Sequence, residues 1–259
     1  MSDVYAIAAL DTPPAPEAYA QPAETDPWLQ RRALGWGASD VGVLLAALGR
    51  RPLDWLPSYL QADAKTTNRT HGQPRIIAQK AGLIEPRKRG SAAAQGTARE
   101  AELLETWRGL ARRGQAGPVA AEIDHNTAEH ASLMPREVLP LVDRHCPQLS
   151  ATPDAWARCR LFGSLGVLEC KCSVRAYTAV PAIHVVQVQT QIAVMGAEWG
   201  CVIEGAGWSA EWTGGNGPVR TWGDGDGLIV RDDALIAEVR EAAEAGWALV
   251  ERLRNDHGR

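Results

Sequence analysis

The sequence predicts a mixed α/β (α+β) fold, in which a central mixed sheet is flanked by helices and preceded by an N-terminal helical part. Three observations predict it. Ser91 to Arg113 carries apolar residues at helical spacing. Short strand-like runs follow at Val119–Ile123, Leu149–Arg160 and Gly163–Ser173, then Trp199–Trp212 and Val219–Trp222. Asp233–Arg254 closes the chain as an amphipathic helix. Helices, then mixed strands, then a helix on the sheet make one mixed α/β domain.

Taken in order, residues 1–26 are rich in Ala, Pro and acids, lack any sustained period, and read as a disordered tail. Residues 27–259 read as one domain. Trp28 to about Leu60 looks helical, with Ser39-Asp40 as an N-cap for Val41 to Leu48 and Gly49 as its stop. A short helix between His71 and Gly90 leads into the basic run Arg87-Lys88-Arg89. Ala182–Met195 reads as a second central helix. On the last helix Leu235, Val239, Ala242, Gly246, Leu249 and Leu253 fall near one stripe. No repeat recurs with a period of 20 to 50 residues.

Composition narrows the classes. With 45% hydrophobic and 22% charged residues, the chain is of the ordinary globular kind. No apolar run is long enough to span a bilayer, and the start lacks the pattern of a signal peptide. Five cysteines, an odd number, suit free thiols in a reducing cytoplasm. The net charge of -4 hides an uneven distribution. Residues 1–27 hold Asp3, Asp11, Glu17, Glu24 and Asp26 and no Lys or Arg, so the rest carries 27 basic against 26 acidic residues. A near-neutral body with local basic patches can bind a phosphate backbone.

The chemistry concentrates in one strand. Pro153-Asp154 is followed fifteen residues after the Asp by Glu169-Cys170-Lys171. Side chains alternate along a strand, so Glu169 and Lys171 share one face, while Leu168, Cys170 and Cys172 share the other, which suits a core. Two carboxylates converging from neighbouring strands make a hard oxygen site for Mg²⁺ or Mn²⁺. A lysine beside them can orient or deprotonate an attacking water. A bare ExK reads first as a surface ion pair on an edge strand, and Pro-Asp upstream at hairpin spacing leaves both readings open.

Two helices bear on that choice. In the helix from Ser91, Glu100 precedes the apolar face of Leu103, Leu104 and Trp107 by three, four and seven residues. It either borders the stripe and reaches solvent or is a third carboxylate aimed at the site. In the helix from Ala182, Val185, Val188, Ile192 and Met195 form an apolar stripe, and His184, Gln187 and Gln191 a polar one. That stripe is either an outer face or a set of neutral donors and acceptors for a water or phosphate oxygen.

Together these pieces resemble the phage lambda-type exonucleases, or YqaJ-like viral recombinases, of the PD-(D/E)xK nuclease superfamily. The matching residues are Trp28 with Arg32, Gly37-Ala38-Ser39-Asp40, Gly96 to Glu100, Pro153-Asp154, Glu169-Cys170-Lys171, and Gln187 to Gln191 ending at Gly196. The resemblance implies a restriction-endonuclease-like core. It implies Asp154 and Glu169 as direct metal ligands, with Glu100 completing the cluster and the backbone carbonyl of Cys170 touching a metal. Lys171 would position or activate the attacking water, and Gln187 would hold that water or the scissile phosphate. Arg32 and Ser39 would bind the 5′-terminal phosphate. Two Mg²⁺ ions per site, replaceable by Mn²⁺, are implied, as are double-stranded DNA ends as substrate. Relatives of this kind degrade one strand from its 5′ end during phage recombination. Several form rings, here implied as a trimer, and work beside a single-strand annealing protein in the host cytoplasm, with no membrane involved. The chain departs from the pattern at Ser173, where the family often has Pro, and in the long Asp154–Glu169 spacing. Residues 60–90 and 197–232 match nothing in it.

Other residues receive readings of their own. Cys170 and Cys172 read as buried thiols, and Cys146, Cys159 and Cys201 do not complete a cluster-binding set. His125, His130 and His145 read as surface or turn residues. Arg87, Lys88 and Arg89 read as a solvated face that in a nuclease contacts the phosphate backbone. Of ten Trp, Trp28 could stack on a terminal base, and most of the others suit a core. Two rival functions remain: a PD-(D/E)xK endonuclease of restriction or repair type, and a non-catalytic binding protein on the same fold.

Overall fold

In the computed structural model the described residues are 34–66, 70, 72–85, 91–113, 132–133, 140–158, 164–173, 177–206, 219–223 and 228–258, with the backbone alone at 91–98, 100, 111, 132, 133 and 158. The elements are β1 (Trp36–Gly37), α1 (Ala38–Ala47), a 3-10 turn (Leu53–Trp55), α2 (Ser58–Ala64), α3 (Arg75–Lys80), α4 (Ser91–Ala111), β2 (Ser132–Leu133), β3 (Leu141–Val142), β4 (Leu149–Ala151), β5 (Ala155–Arg158), β6 (Leu165–Ser173), α5 (Ala182–Met195), β7 (Trp199–Ala206), β8 (Val219–Trp222), β9 (Ile229–Val230) and α6 (Asp233–Asp256). The fold is mixed α/β, as the sequence predicts. No helix among the described residues is long and apolar enough to cross a membrane.

The larger sheet runs β2-β5-β6-β7-β8, with β9 pairing further along β7. β6 and β7 are parallel and joined through α5, and the other neighbours are antiparallel. β6 is therefore a central strand and not an edge. Its alternation is as expected, but both faces are covered. Leu168 and Cys170 pack with Leu103, Leu104 and Trp107 of α4. Leu165 and Val167 pack with Val188, Ile192 and Met195 of α5. Cys172 is only half-buried.

A second sheet, β1-β4-β3, lies under α1 and α5. The Leu149–Arg160 run is thus two strands in two sheets. Pro153 has no N–H to donate to a ladder, and the chain changes sheet there. Buried Asp143, in the turn after β3, accepts the backbone N–H groups of His145 and Cys146 at 2.8 Å and a two-point ion pair from Arg240 of α6. His145 is thus a turn residue.

The segment expected to be helical around residue 40 starts instead as the short strand β1. The N-cap of α1 is Gly37, not Ser39-Asp40. Asp40 acts from the third helical position, where its carboxylate accepts the Gly37 N–H at 3.1 Å. Gly49 follows the helix with φ of 71°, as a left-handed stop requires. Gly42 lets α1 press on α5, because a Cβ there would come within 2.6 Å of Ile183. That contact carries the start of α1 toward the polar stripe of α5. On α6, Val239, Ala242, Gly246 and Leu253 are buried as expected; Ile236, Ala243, Trp247 and Val250 are buried too, and Leu235 and Leu249 sit at the margin.

Several expectations lie outside the described residues: the tail 1–26, Trp28, Arg32, the run Arg87-Lys88-Arg89, the strand at 119–123, His125, His130 and Cys159.

Candidate active site

The fifteen-residue spacing of Asp154 and Glu169 has a geometric meaning. β5 and β6 pair with Ala155 opposite Leu168 and Trp156 opposite Val167. One step outward on that antiparallel ladder sets Asp154 across from Glu169. The Asp154 carboxylate turns onto the neighbouring strand, and its Oδ2 accepts the Cys170 N–H at 2.8 Å.

Glu169 is 2% exposed, so its charge needs partners. It has three. The Lys171 ammonium donates to Oε1. Gln187 Nε2 donates to the same oxygen at 2.6 Å, and Gln191 Nε2 to Oε2 at 2.5 Å. The two amides come from successive turns of α5, which lies across this face of the sheet. The polar stripe of α5 is therefore no outer surface, and the ExK pair is no edge-strand ion pair. Burial works against the Lys171 charge, but the Glu169 and Asp154 carboxylates outweigh it and hold its pKa above the usual lysine value.

Gln191 is itself 1% exposed, and its Oε1 has no hydrogen-bond partner. It lines a cavity of about 60 Å³ together with Gln187, the N-cap Gly37 and the first residues Ala38 and Ser39 of α1, Ser150 and Ala151 of β4, and Thr152 just after it. Ser39 and Gln187 thus line one cavity although well over a hundred residues separate them.

A second buried carboxylate stands on the same face. Glu204 of β7 is opposite Lys171 in the parallel register and is 0% exposed. It accepts from Ser173 Oγ at 2.6 Å, the Tyr177 N–H at 2.8 Å and Trp222 Nε1 at 2.7 Å. Tyr177 then meets His184, with 3.3 Å between the hydroxyl and Nε2. Burial first, and then Lys171, push the His184 pKa down to about 3, with Gln187 opposing. Burial raises the Tyr177 pKa to about 12, with Lys171 opposing.

Of the residues singled out by sequence, Ser39, Asp154, Glu169, Cys170, Lys171 and Gln187 are described in and around this site. Glu100 lies on α4, whose apolar face packs on the other side of the sheet; its side chain is outside the described residues. Among the described residues no group of three or more His, Cys, Asp or Glu is arranged to hold a metal ion. Sequence reasoning missed the grip of Gln191 on Glu169, and it missed Thr152, Ser150 and Glu204 altogether. A lone acid inside the apolar run of β7 was the available signal for Glu204. Gln189 plays another part: it donates to the Val230 carbonyl and accepts the Asp232 N–H, tying α5 to the start of α6.

No family model and no curated protein matches the chain. Solved structures do. An alkaline exonuclease from Laribacter hongkongensis superposes with a TM-score of 0.56 at 18% identity, over 91% of this chain and 97% of that one. The same exonuclease in complex with dAMP gives 0.51 at 18%, over 88% and 93%. A phage related exonuclease from Haemophilus somnus 129PT gives 0.54 at 12% identity, over 86% and 96%. The likeness is one of fold, a mixed α/β fold.

Proposed function

We propose that this protein is a metal-dependent DNA exonuclease that degrades one strand of linear duplex DNA in the 5′-to-3′ direction, as phage-type recombination requires. The observation that carries the reading is the grip on Glu169. A buried carboxylate held by an ammonium and two amides, with Asp154 opposite, is costly to build and serves no packing purpose. The likeness of fold to exonucleases supports it.

The donor set fits a hard divalent cation. Mg²⁺ needs few carboxylates when substrate phosphate and water complete its shell, and Asp154 and Glu169 offer two. Glu100 and the Cys170 carbonyl complete the proposed set, and Mn²⁺ is expected to substitute. The ion supplies Lewis-acid charge at the phosphoryl oxygens. Lys171, charged in its pairing with Glu169, donates a hydrogen bond to the scissile phosphate or the attacking water. Gln187 keeps Glu169 oriented. Gln191 Oε1 is an acceptor, so it suits the O–H of a water better than a phosphate oxygen.

The cavity beside Ser39 is the proposed site of the 5′-terminal phosphate. The start of α1 presents backbone N–H groups and a partial positive charge, and Ser39 and Thr152 add hydroxyl donors. Arg32 is assigned to this site as its guanidinium clamp. A trimeric ring and an annealing partner belong to the same proposal.

The test uses linear duplex DNA labelled at one 5′ end, with covalently closed plasmid beside it, with and without Mg²⁺. Label released as mononucleotide only with Mg²⁺, with the plasmid intact, is the expected result. Nicking or linearising of the plasmid would move the assignment to an endonuclease.

A further inference from the structure

We infer that Lys80 is a specificity-determining residue of the Ser39 cavity: its ammonium neutralises Asp40 and ties down the turn that opens α1, so that a terminal phosphate can enter beside Ser39. The inference rests on the reading of that cavity as the 5′-phosphate site.

Lys80 is the last residue of α3, far in sequence from the acidic strand. Its Nζ donates to the Gly35 carbonyl at 2.7 Å and lies 3.3 Å from Asp40 Oδ2. It also stands over Trp36, 5.6 Å from the ring centroid. Gly35, Trp36 and Asp40 bracket Gly37, Ala38 and Ser39, the three residues of this turn that line the cavity. The rest of the turn is tied as well. The Trp36 N–H donates to the Gln148 carbonyl at 2.7 Å, and its indole to the Ala243 carbonyl at 2.9 Å.

The charge of Asp40 is the reason the lysine matters. A carboxylate in the first turn of a helix stabilises the helix, and here it also takes the Gly37 N–H. The same negative charge, one residue from Ser39, repels an incoming phosphate and competes with it for the positive end of α1. Lys80 cancels it. The ammonium and carboxylate are only 16% and 22% exposed, so solvent screens the pair less than a surface pair. Gln191, whose buried, unpartnered Oε1 lines the same cavity, is an independent mark of a polar ligand there; as an acceptor it takes an O–H, that of a water entering with the phosphate.

The experiment compares kcat/KM on linear duplexes that differ only in a 5′ phosphate or a 5′ hydroxyl. The ratio of the two is the readout, so a uniform loss of activity cancels. Lys80→Met should lower the ratio by about tenfold, the scale of removing one partly buried positive charge near the ligand. Lys80→Gln, which keeps a donor but not the charge, should do the same and stands in if the Met variant misfolds. Lys80→Arg should hold the ratio within about twofold, since the charge remains. The double variant Lys80→Met with Asp40→Asn should recover most of the preference, and a purely structural role for Lys80 would not allow that recovery. An unchanged ratio in Lys80→Met and Lys80→Gln, or no recovery in the double variant, overturns the role of Lys80 alone. A wild-type ratio of one overturns the phosphate-site reading itself, before any variant is made.

Discussion

Glu169 and Glu204 make an instructive pair. Both are buried, both stand on the same face of adjacent parallel strands, and each accepts three hydrogen bonds. Their partners differ in kind. Glu169 is held by three flexible side chains, two of them amides that can rotate to offer oxygen in place of nitrogen. Glu204 is held by a backbone N–H, an indole N–H and a hydroxyl, and the first two can only donate. On the proposed reading, the first grip would be released and rebuilt around a cation and a phosphate. The second is a fixture that pins the end of β6 to the segment leading toward α5. On that reading, equal burial of the same residue type would serve chemistry in one place and architecture in the other.

The contrast is sharpest if the charge of each is removed without changing its shape. Glu169→Gln is expected to leave a folded protein, because Gln187 and Gln191 can turn their amides. Its cleavage rate should fall to about a thousandth of wild type or less, the scale of losing a group that acts on developing charge. Circular dichroism and a cleavage time course on the same sample decide it, and near-normal turnover would remove Glu169 from the site. Glu204→Gln should do the reverse. Its amide would face donors that cannot turn, at a cost of about 3 kcal/mol in urea unfolding. A Glu204→Gln protein as stable as wild type but inactive would move Glu204 from the frame into the chemistry.

The smallest effect concerns His184, which meets Tyr177 of the Glu204 region. Its folded pKa is lowered from 6.5 to about 3. Below pH 6.5 the unfolded chain takes up a proton that the folded one refuses, so stability falls as the pH drops from 6.5 toward 3. Above pH 6.5 both states are neutral and the effect vanishes. Urea midpoints at pH 7 and pH 4.5 should therefore differ more in wild type than in His184→Gln. Equal differences would mean that the ring takes up its proton in the folded state.

The long elements were legible because their period is strong. α5 has the bounds Ala182–Met195 and β8 the bounds Val219–Trp222 that the apolar pattern predicts. β1 and β3, two residues each, have no period of their own; they exist because β4 lies between them. The break at Thr152–Asp154 was hidden inside an apparently continuous run for the same reason. In the site, the residue types were legible and the grouping was not. His184, Gln187 and Gln191 were visible as a stripe, but a stripe does not say whether solvent or a carboxylate lies under it.

By itself the sequence determined the alternation that puts Glu169 and Lys171 on one face of β6, and the hairpin spacing that returns Asp154 to its side. It also determined the helical stripe of α5, because these are properties of backbone period and depend on near neighbours alone. Only the tertiary structure decided that β6 is central, that α5 covers the charged face, and that Ser39 joins Gln187 and Gln191 around one cavity from far upstream. Those depend on which apolar surfaces bury one another, a choice made between elements distant in the chain. Once it is made, a carboxylate that local pattern leaves free to face water must find an ammonium and two amides instead.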